Sequence, residues 1–356
     1  MSKNKGKKKI GLIGLLIVLL VIVVTFFVFC LKNASACGDG SKQETLIVHE
    51  GESFNDVLSD LEKMELIHSQ RFAKIFSKTK GDVSYYAGQY QLNDGMNLQE
   101  IFAYLSNPSN AKVDSVTITI PEGKWAKEIA EIIAQNFDYT KDDIISYWND
   151  ENTLRTLCDQ YEFLNFDEIN KAEYKIKLEG YLYPETYSIP TEASLEEITK
   201  ILLNQFDCMY QEYKDDFNNS SYSVHQIVTL ASVVQFESGY ASDMPTIASV
   251  FYNRLNSDMM LQSSVTVCYA LYDDFSDPQD CEVQTDIDSP YNTYLYSGLP
   301  VGPILNPGKE AFDAVLHPAQ TDYYYFAADI HGDGKVYYSR TYDEHMQICE
   351  QLNLGL

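Results

Sequence analysis

One segment near the N-terminus constrains the fold more than any other. Residues 10–31, IGLIGLLIVLLVIVVTFFVFCL, form a run of 22 residues without a charged side chain. Such a run can cross the ~30 Å hydrocarbon core of a membrane as a helix, which satisfies every backbone polar group internally. We therefore predict a membrane span here. A cleaved signal peptide is the alternative, because the ASA at Ala34–Ala36 resembles a cleavage site.

The lysines near the N-terminus set the expected orientation of this span. Five of the nine residues before Ile10 are lysines. Because cytoplasmic flanks of membrane helices carry an excess of lysine and arginine, we predict a cytoplasmic tail at 1–9 and a single pass at 10–31. Residues 32–44 are small and polar and indicate a flexible linker. Everything beyond Lys32 is expected outside the plasma membrane.

The charge balance excludes one class of partner. The chain has 52 acidic against 26 basic residues and a formal net charge of −26. Such an anionic body is repelled by DNA and RNA, whose phosphates need positive charge. We therefore predict no nucleic-acid binding, and uncharged polymers such as carbohydrate remain as partners.

Cysteine and histidine spacing indicates no metal or cofactor site. The seven cysteines are odd in number and lack a C-x-x-C pair, and no H-E-x-x-H motif occurs. We predict neither a metal nor a cofactor. Cys268 and Cys281 can pair across a loop or serve as small buried hydrophobic residues.

The rest of the chain alternates short strand and helix patterns, which indicates an α+β fold. A strand at Leu46–Val48 precedes a helix for which Ser53 is the expected N-cap. Further short elements continue to about Asn110. We predict a small α/β module at 45–112 and a larger mixed α+β domain at 113–356.

Two aromatic stretches in the larger domain do not fit regular structure. In LEGYLYPETYSIP, Leu178–Pro190, the prolines forbid one continuous element, and its Glu and Tyr side chains fit a surface loop or groove wall. Residues 289–308, SPYNTYLYSGLPVGPILNPG, contain three Gly and four Pro and indicate a long shaped loop. Here Asn292 and Thr293, together with Gln262, offer the donors and acceptors that sugar hydroxyls require.

The helix with the clearest signature ends at a carboxylate. SVHQIVTLASVVQFES opens with a capping box of Ser223 and Gln226, and Leu230 and Val234 mark an apolar face. Glu237 continues that face near the C-terminus, where the helix dipole also disfavours negative charge. A carboxyl group kept neutral in this way can protonate a leaving oxygen. Alternatively, the helix frays and Glu237 points into solvent.

Several motifs in this order resemble the MltG/YceG-like family of endolytic murein transglycosylases. They are LEGYLYPETY, LASVVQFES, VFYNRL, LQSSVTV and the 289–308 loop, together with VHEGESFNDVL near the N-terminus. The resemblance covers nearly the whole chain. It implies that the 45–112 module is LysM-like and that 113–356 is a YceG-like catalytic domain.

The resemblance also implies roles for individual residues. Glu237 matches the catalytic glutamate of the family. The expected substrate-binding residues are Glu179, Gln262, Ser264, Tyr291, Asn292 and Thr293. Two positions depart from the family pattern: Gln235 replaces a glutamate, and Ser264 stands where the family often has aspartate, so a second acidic group is expected to be missing. On helical geometry Gln235 points away from the site.

The implied reaction cleaves the β-1,4 bond between N-acetylmuramic acid and N-acetylglucosamine in peptidoglycan strands. Glu237 protonates the glycosidic oxygen and then deprotonates the C6 hydroxyl that attacks C1, which leaves a 1,6-anhydro end. One alternative is a peptidoglycan hydrolase, which needs a second carboxyl such as Asp286, Asp288 or Glu179. The other is a non-catalytic glycan-binding scaffold. The cell-wall synthesis machinery is an expected partner.

Overall fold

The chain folds into two compact units, Met1–Asp114 (unit 1) and Ser115–Leu356 (unit 2). Each unit has its own hydrophobic core. Both contain helices and short strands, which confirms the α+β prediction. The computed structural model describes residues 4–49, 52–80, 83–112, 114–274, 278–329 and 331–354.

Unit 1 begins with a long helix, α1, Asn4–Ala34. Its segment Ile17–Ala34 is long and apolar enough to cross a membrane. The side chains there are mostly exposed, with Leu20 at 62% and Phe26 at 66%. Because water disfavours so much apolar surface, α1 is compatible with the predicted single-pass anchor at 10–31. An N-terminal signal sequence can meet the same criteria of length and apolar composition.

The rest of unit 1 places two helices between two paired strands. Strands β1 and β2 are antiparallel, with Leu46 opposite Tyr90. Ser53 caps α2, where its hydroxyl accepts from the Asp56 N–H at 3.3 Å, as predicted. Whether this module is LysM-like stays a prediction. The elements are β1 Gln43–Val48, α2 Phe54–Lys63, α3 Gln70–Lys80, β2 Gly88–Asn93 and α4 Leu98–Leu105.

Unit 2 is mainly helical, with two small antiparallel sheets, β3–β4 and β5–β6. Its first part comprises β3 Ser115–Thr119, α5 Ala126–Ala134, α6 Lys141–Asn149, α7 Glu151–Gln160, α8 Phe166–Ile169, β4 Thr186–Pro190, α9 Leu195–Glu212 and α10 Lys214–Asn219. Its second part comprises α11 Val224–Glu237, α12 Met244–Asn256, α13 Ser264–Leu271, α14 Pro278–Val283, α15 Lys309–Leu316, β5 Tyr325–Ala328, β6 Val336–Ser339 and α16 Tyr342–Gln351.

The stretch Leu178–Pro190 is not the surface loop that the sequence indicated. Its second half forms β4, in which Pro190 is the last residue and pairs with Ser115 of β3. Tyr181 and Tyr187 are buried. Prolines are tolerated at a strand end because no ladder hydrogen bond is lost there. Burial of the flat tyrosine rings stabilises the fold more than their exposure to solvent would.

Helix α11 is the centre of unit 2. Its hydroxyl-capped start at Ser223 and its capping box with Gln226 confirm the sequence prediction. The helix is buried on all sides rather than on one face, from Ile227 to Val234, because α12, α13 and α15 pack around it. This packing fixes the position at which Glu237, the last helical residue, leaves the core.

The loop 289–308 contains no helix or strand, as predicted. It is nevertheless held firmly at its C-terminal side. The side-chain oxygen of Asn306 accepts from the backbone N–H groups of Gly180 and Leu182, both at 2.9 Å. The Ile304 N–H donates to Ser232 of α11 at 3.0 Å. The loop is thus tied to the core of unit 2.

Candidate active site

Glu237 is held in place by one neighbouring hydroxyl. Its side chain is partly buried, and Oε1 accepts a hydrogen bond from the Ser263 hydroxyl at 2.5 Å. The helix does not fray before this point, because the Ser238 N–H still donates to the Val234 carbonyl at 3.3 Å. The alternative of a frayed helix with a fully solvated Glu237 is therefore wrong.

The surroundings of Glu237 favour its protonated form. Burial is the largest cause and raises the pKa of Glu237 to about 7. The hydrogen bond from Ser263 opposes this change, the Glu282 carboxylate adds to it, and the charge of Arg254 opposes it. A carboxyl group with a pKa near neutrality can give up a proton and take it back at a similar pH, which suits a general acid and base.

Ser263 is itself fixed by two threonines. Its backbone N–H donates to Thr293 Oγ1 at 3.0 Å, and its carbonyl accepts from Thr266 Oγ1 at 2.7 Å. The two threonine hydroxyls lie 3.0 Å apart. Because Thr266 and Thr293 are buried at 0% and 1% exposure, the hydroxyl that binds Glu237 has little freedom to move.

Tyr291, Asn292 and Thr293 lie inside the protein in this structure. The Asn292 amide donates to the carbonyls of Thr285 and Ile287 at 2.9 and 2.8 Å. The Tyr291 ring packs edge-on against Tyr269, with centroids 4.8 Å apart. These side chains shape the loop that carries Thr293, which binds Ser263. Their direct contact with a glycan stays a prediction.

Glu179 is a buried brace rather than part of a surface. Its Oε1 accepts from the Ala126 N–H at 2.8 Å and from the Asn306 amide at 2.7 Å, and its Oε2 accepts from the Tyr269 hydroxyl at 3.0 Å. Burial raises the pKa of Glu179 to about 8. The following Gly180 has a φ of 90°, and a Cβ there would lie 2.6 Å from Pro303.

Gln262 and Ser264 flank the serine that binds Glu237. Gln262 is exposed, and its backbone φ of 47° is uncommon for a residue other than glycine. Its exposed amide is therefore open to a ligand, as the substrate-binding prediction requires. Ser264 donates instead to Glu282 Oε1 at 2.8 Å. The Glu282 carboxylate therefore lies beside Ser264, whereas the sequence predicted that no second acidic group would be near the site.

Four residues of this site were not found from sequence: Arg254, Ser263, Glu282 and Tyr294. Ser263 lies one position before the predicted Ser264. Arg254 is buried and donates to the carbonyls of Tyr324 and Leu261 at 2.6 and 2.7 Å, which fixes the segment before Ser263. Glu282 could have been found from its neighbour Cys281, because pairing Cys281 with Cys268 places Glu282 near α13.

Other candidate sites lie apart from Glu237. A cavity of about 450 Å³ is lined by residues of α10 and α12 and by 315–321, and Glu237 is not part of its lining. Among the residues that the structure describes, no group of three or more His, Cys, Asp or Glu side chains is placed to hold a metal ion. Gln235 binds the Gly308 N–H at 2.9 Å and so has a different partner from Glu237.

Known proteins have related sequences and a similar fold. An endolytic murein transglycosylase of Bacillus subtilis (strain 168) is 34% identical over 322 residues, which are 88% of this chain and 86% of that protein. One of Streptococcus pneumoniae (strain D39) is 30% identical over 331 residues, which are 89% of this chain and 60% of that longer protein.

A crystal structure of a YceG-like protein from Listeria monocytogenes superposes with a TM-score of 0.60 at 32% identity. The match covers 86% of this chain and 98% of that one. Residues 46–351 match the model of the YceG-like family, which is most of the chain. The chain therefore belongs to the YceG-like family.

Proposed function

We propose that the chain is an endolytic murein transglycosylase that cleaves the β-1,4 bond between N-acetylmuramic acid and N-acetylglucosamine within peptidoglycan strands. The names of the two bacterial relatives support a peptidoglycan lytic transglycosylase, a lyase, and peptidoglycan as the substrate. The observation that carries the assignment of Glu237 is its position: a carboxyl group at the end of a buried helix, held by Ser263, with a pKa raised to about 7.

The reaction follows from one carboxyl group used twice. Protonated Glu237 donates its proton to the glycosidic oxygen, the bond from this oxygen to C1 of the muramic acid breaks, and the oxygen leaves as the 4-hydroxyl of the N-acetylglucosamine. The C6 hydroxyl of the same muramic acid then attacks C1, and its proton returns to Glu237. The product is a 1,6-anhydro end, no water is consumed, and the acid is regenerated.

The surface beside Glu237 suits a glycan strand. Phe236 and Tyr240, on either side of it in sequence, are 36% and 59% exposed. Flat aromatic faces of this kind stack on pyranose rings, and the exposed Gln262 amide supplies hydrogen bonds. Helix α1 would anchor the chain as a single pass with unit 2 outside the plasma membrane, and cell-wall synthesis enzymes would be its partners there.

A peptidoglycan hydrolase is the second candidate, and one observation favours it. A hydrolase needs a second carboxyl group within about 5–9.5 Å of the first, and the Glu282 carboxylate acts on Glu237. The previously named Asp288 is occupied by the Tyr296 hydroxyl at 2.7 Å, and Glu179 is a buried brace. Unlike Asp286 and Asp288, Glu282 has a charge that acts on Glu237, and it is the acidic residue that we expect a hydrolase to use.

The mass of the products decides between these functions. The full chain in detergent is incubated with purified peptidoglycan sacculi, and the released fragments are weighed. We expect anhydro ends, each lighter by one water than a reducing end, from the wild type and from Glu151→Gln, a matched change of an exposed glutamate on α7. Glu237→Gln should release them ~10²- to 10⁴-fold more slowly. Reducing ends would indicate the hydrolase, and full activity of Glu237→Gln would remove that residue from the reaction.

A further inference from the structure

Two carboxylates at the candidate site are held by consecutive serines. Ser263 donates to Glu237 at 2.5 Å, and Ser264 donates to Glu282 at 2.8 Å. Glu237 comes from the end of α11, whereas Glu282 comes from α14, 45 positions later in the chain. The start of α13 thus brings together two acidic side chains that are remote in sequence.

A covalent link fixes the element that carries Glu282. The preceding residue, Cys281, is bonded to Cys268 of α13, with their Cα atoms 4.9 Å apart. Both cysteines are buried, at 1% and 6% exposure, in a small cluster with Val267 and Leu271. A six-residue helix has little stability of its own. The disulfide and the apolar cluster therefore determine where Glu282 lies.

Tyr294 interacts with both the disulfide cluster and the two carboxylates. Tyr294 packs on the disulfide cluster, and the charges of both Glu282 and Glu237 act on its hydroxyl. Burial, together with these two charges, raises the pKa of Tyr294 to about 12. The Tyr294 phenol therefore stays neutral at the pH values at which activity is measured. Glu237 and Glu282 are thus both close enough for their charges to act on the Tyr294 hydroxyl.

We propose that Glu282 is a positioning residue of the active site, held beside Glu237 by Ser264 and the Cys268–Cys281 disulfide, where its negative charge supports the role of Glu237 as general acid. This inference rests on the proposed function of Glu237.

The charged groups around Glu237 act on its pKa in opposite directions. Arg254 from α12 acts in the opposite direction to Glu282, and Tyr294 is neutral. From α15, Lys309 pairs with Glu212 at 2.6 Å. Within the described residues, Glu282 is thus the acidic side chain whose charge acts on Glu237. Removing it must lower the pKa of Glu237, because a like charge disfavours ionisation.

The test is the pH dependence of kcat/KM for the full chain in detergent on purified glycan strands. Glu282→Gln should move the alkaline limb to lower pH, with activity about threefold below wild type near pH ~7.5 and unchanged near pH ~5.5. Glu282 is exposed, so this variant should fold. Glu151→Gln, which removes an exposed negative charge that pairs with Arg155 on α7, should leave the profile unchanged.

Two further variants separate position from charge. Ser264→Asp in the Glu282→Gln background should restore the wild-type limb, because it returns a carboxylate next to Ser263. Cys268→Ala with Cys281→Ala should shift the limb in the same direction as Glu282→Gln. Combining the cysteine changes with Glu282→Gln should add no further shift if the disulfide acts through Glu282.

The outcomes are distinct for the inference and for the proposed function. A profile of Glu282→Gln identical to wild type, with anhydro products from both, would overturn the inference and leave the function intact. Reducing ends from the wild type would overturn the proposed function. Loss of all activity at every pH in Glu282→Gln would overturn the positioning role and make Glu282 a second catalytic group.

Discussion

Glu179 and Glu237 are both carboxyl groups with raised pKa values in unit 2, yet their surroundings differ in hydrogen bonding and in exposure. Glu179 is buried and accepts hydrogen bonds from Ala126, Tyr269 and Asn306. For Glu237 the described residues supply one hydroxyl donor, that of Ser263, and the side chain is partly exposed. A carboxyl group whose bonding capacity is filled serves the fold, whereas one with capacity left over is available for chemistry.

The largest expected effect comes from removing the acid itself. Glu237→Gln keeps the size of the side chain and can still accept from Ser263, so the fold should survive. The variant cannot donate a proton from a carboxyl group, and we expect a loss of ~10²- to 10⁴-fold in kcat. Release of muropeptides measures this, and circular dichroism with a thermal melt checks the fold.

Removing the brace should affect stability rather than chemistry. Glu179→Ala leaves the Ala126 N–H, the Tyr269 hydroxyl and the Asn306 amide without their buried partner, which should lower the free energy of unfolding by about 3 kcal/mol. Glu179→Gln retains an acceptor and should change it by less than about 1 kcal/mol near pH ~4, where the wild-type carboxyl group is also neutral. Urea denaturation that follows the unfolding of unit 2 tests both variants. An equal loss in the free energy of unfolding for the two would contradict the role of Glu179 as a buried hydrogen-bond acceptor.

The same brace makes stability depend on pH. Burial raises the pKa of Glu179 to about 8 from 4.5, so the folded state binds an extra proton between these values. Stability should therefore fall as pH rises from about 4.5 to about 8, by at most about 1.4 kcal/mol per unit for this group. Glu179→Gln should flatten that part of the profile. An unchanged slope would show that Glu179 does not titrate there.

A smaller change is expected at the hydroxyl that binds Glu237. Since the Ser263 hydrogen bond lowers the pKa of Glu237, Ser263→Ala should raise it and move the alkaline limb of kcat/KM to higher pH, opposite to Glu282→Gln. A loss in kcat of about tenfold should accompany this, because the carboxyl group is less well oriented. A limb that moves to lower pH would contradict the assigned contact.

Local patterns predicted much of this structure because local interactions determine it. The caps at Ser53 and Ser223, the helix that ends at Glu237 and the irregular loop at 289–308 all follow from hydrogen bonding or backbone preference within a few residues. The choice between a paired and an unpaired Cys268 was left open by the sequence. The structure resolves it through a contact across 13 positions.

The contacts that define the site were beyond the sequence because they join distant segments. Ser263 and Glu237 are 26 positions apart, and Glu179 and Asn306 are 127 apart. Tyrosines in Leu178–Pro190 were placed on the surface since their pattern resembles a loop, whereas the pairing of β4 with β3 buries them. Polar side chains such as Asn292 and Thr293 have the same composition whether they bind sugar or bind the backbone of a loop.

The most direct test of the central claim is the pH profile of kcat/KM for the wild-type chain on glycan strands, with the products weighed at each pH. If Glu237 is the general acid, activity falls with the loss of one proton through a pKa of about 7, and every product carries an anhydro end. Activity that stays constant well above pH ~8 would show that no carboxyl group with this pKa donates the proton, and would contradict the account.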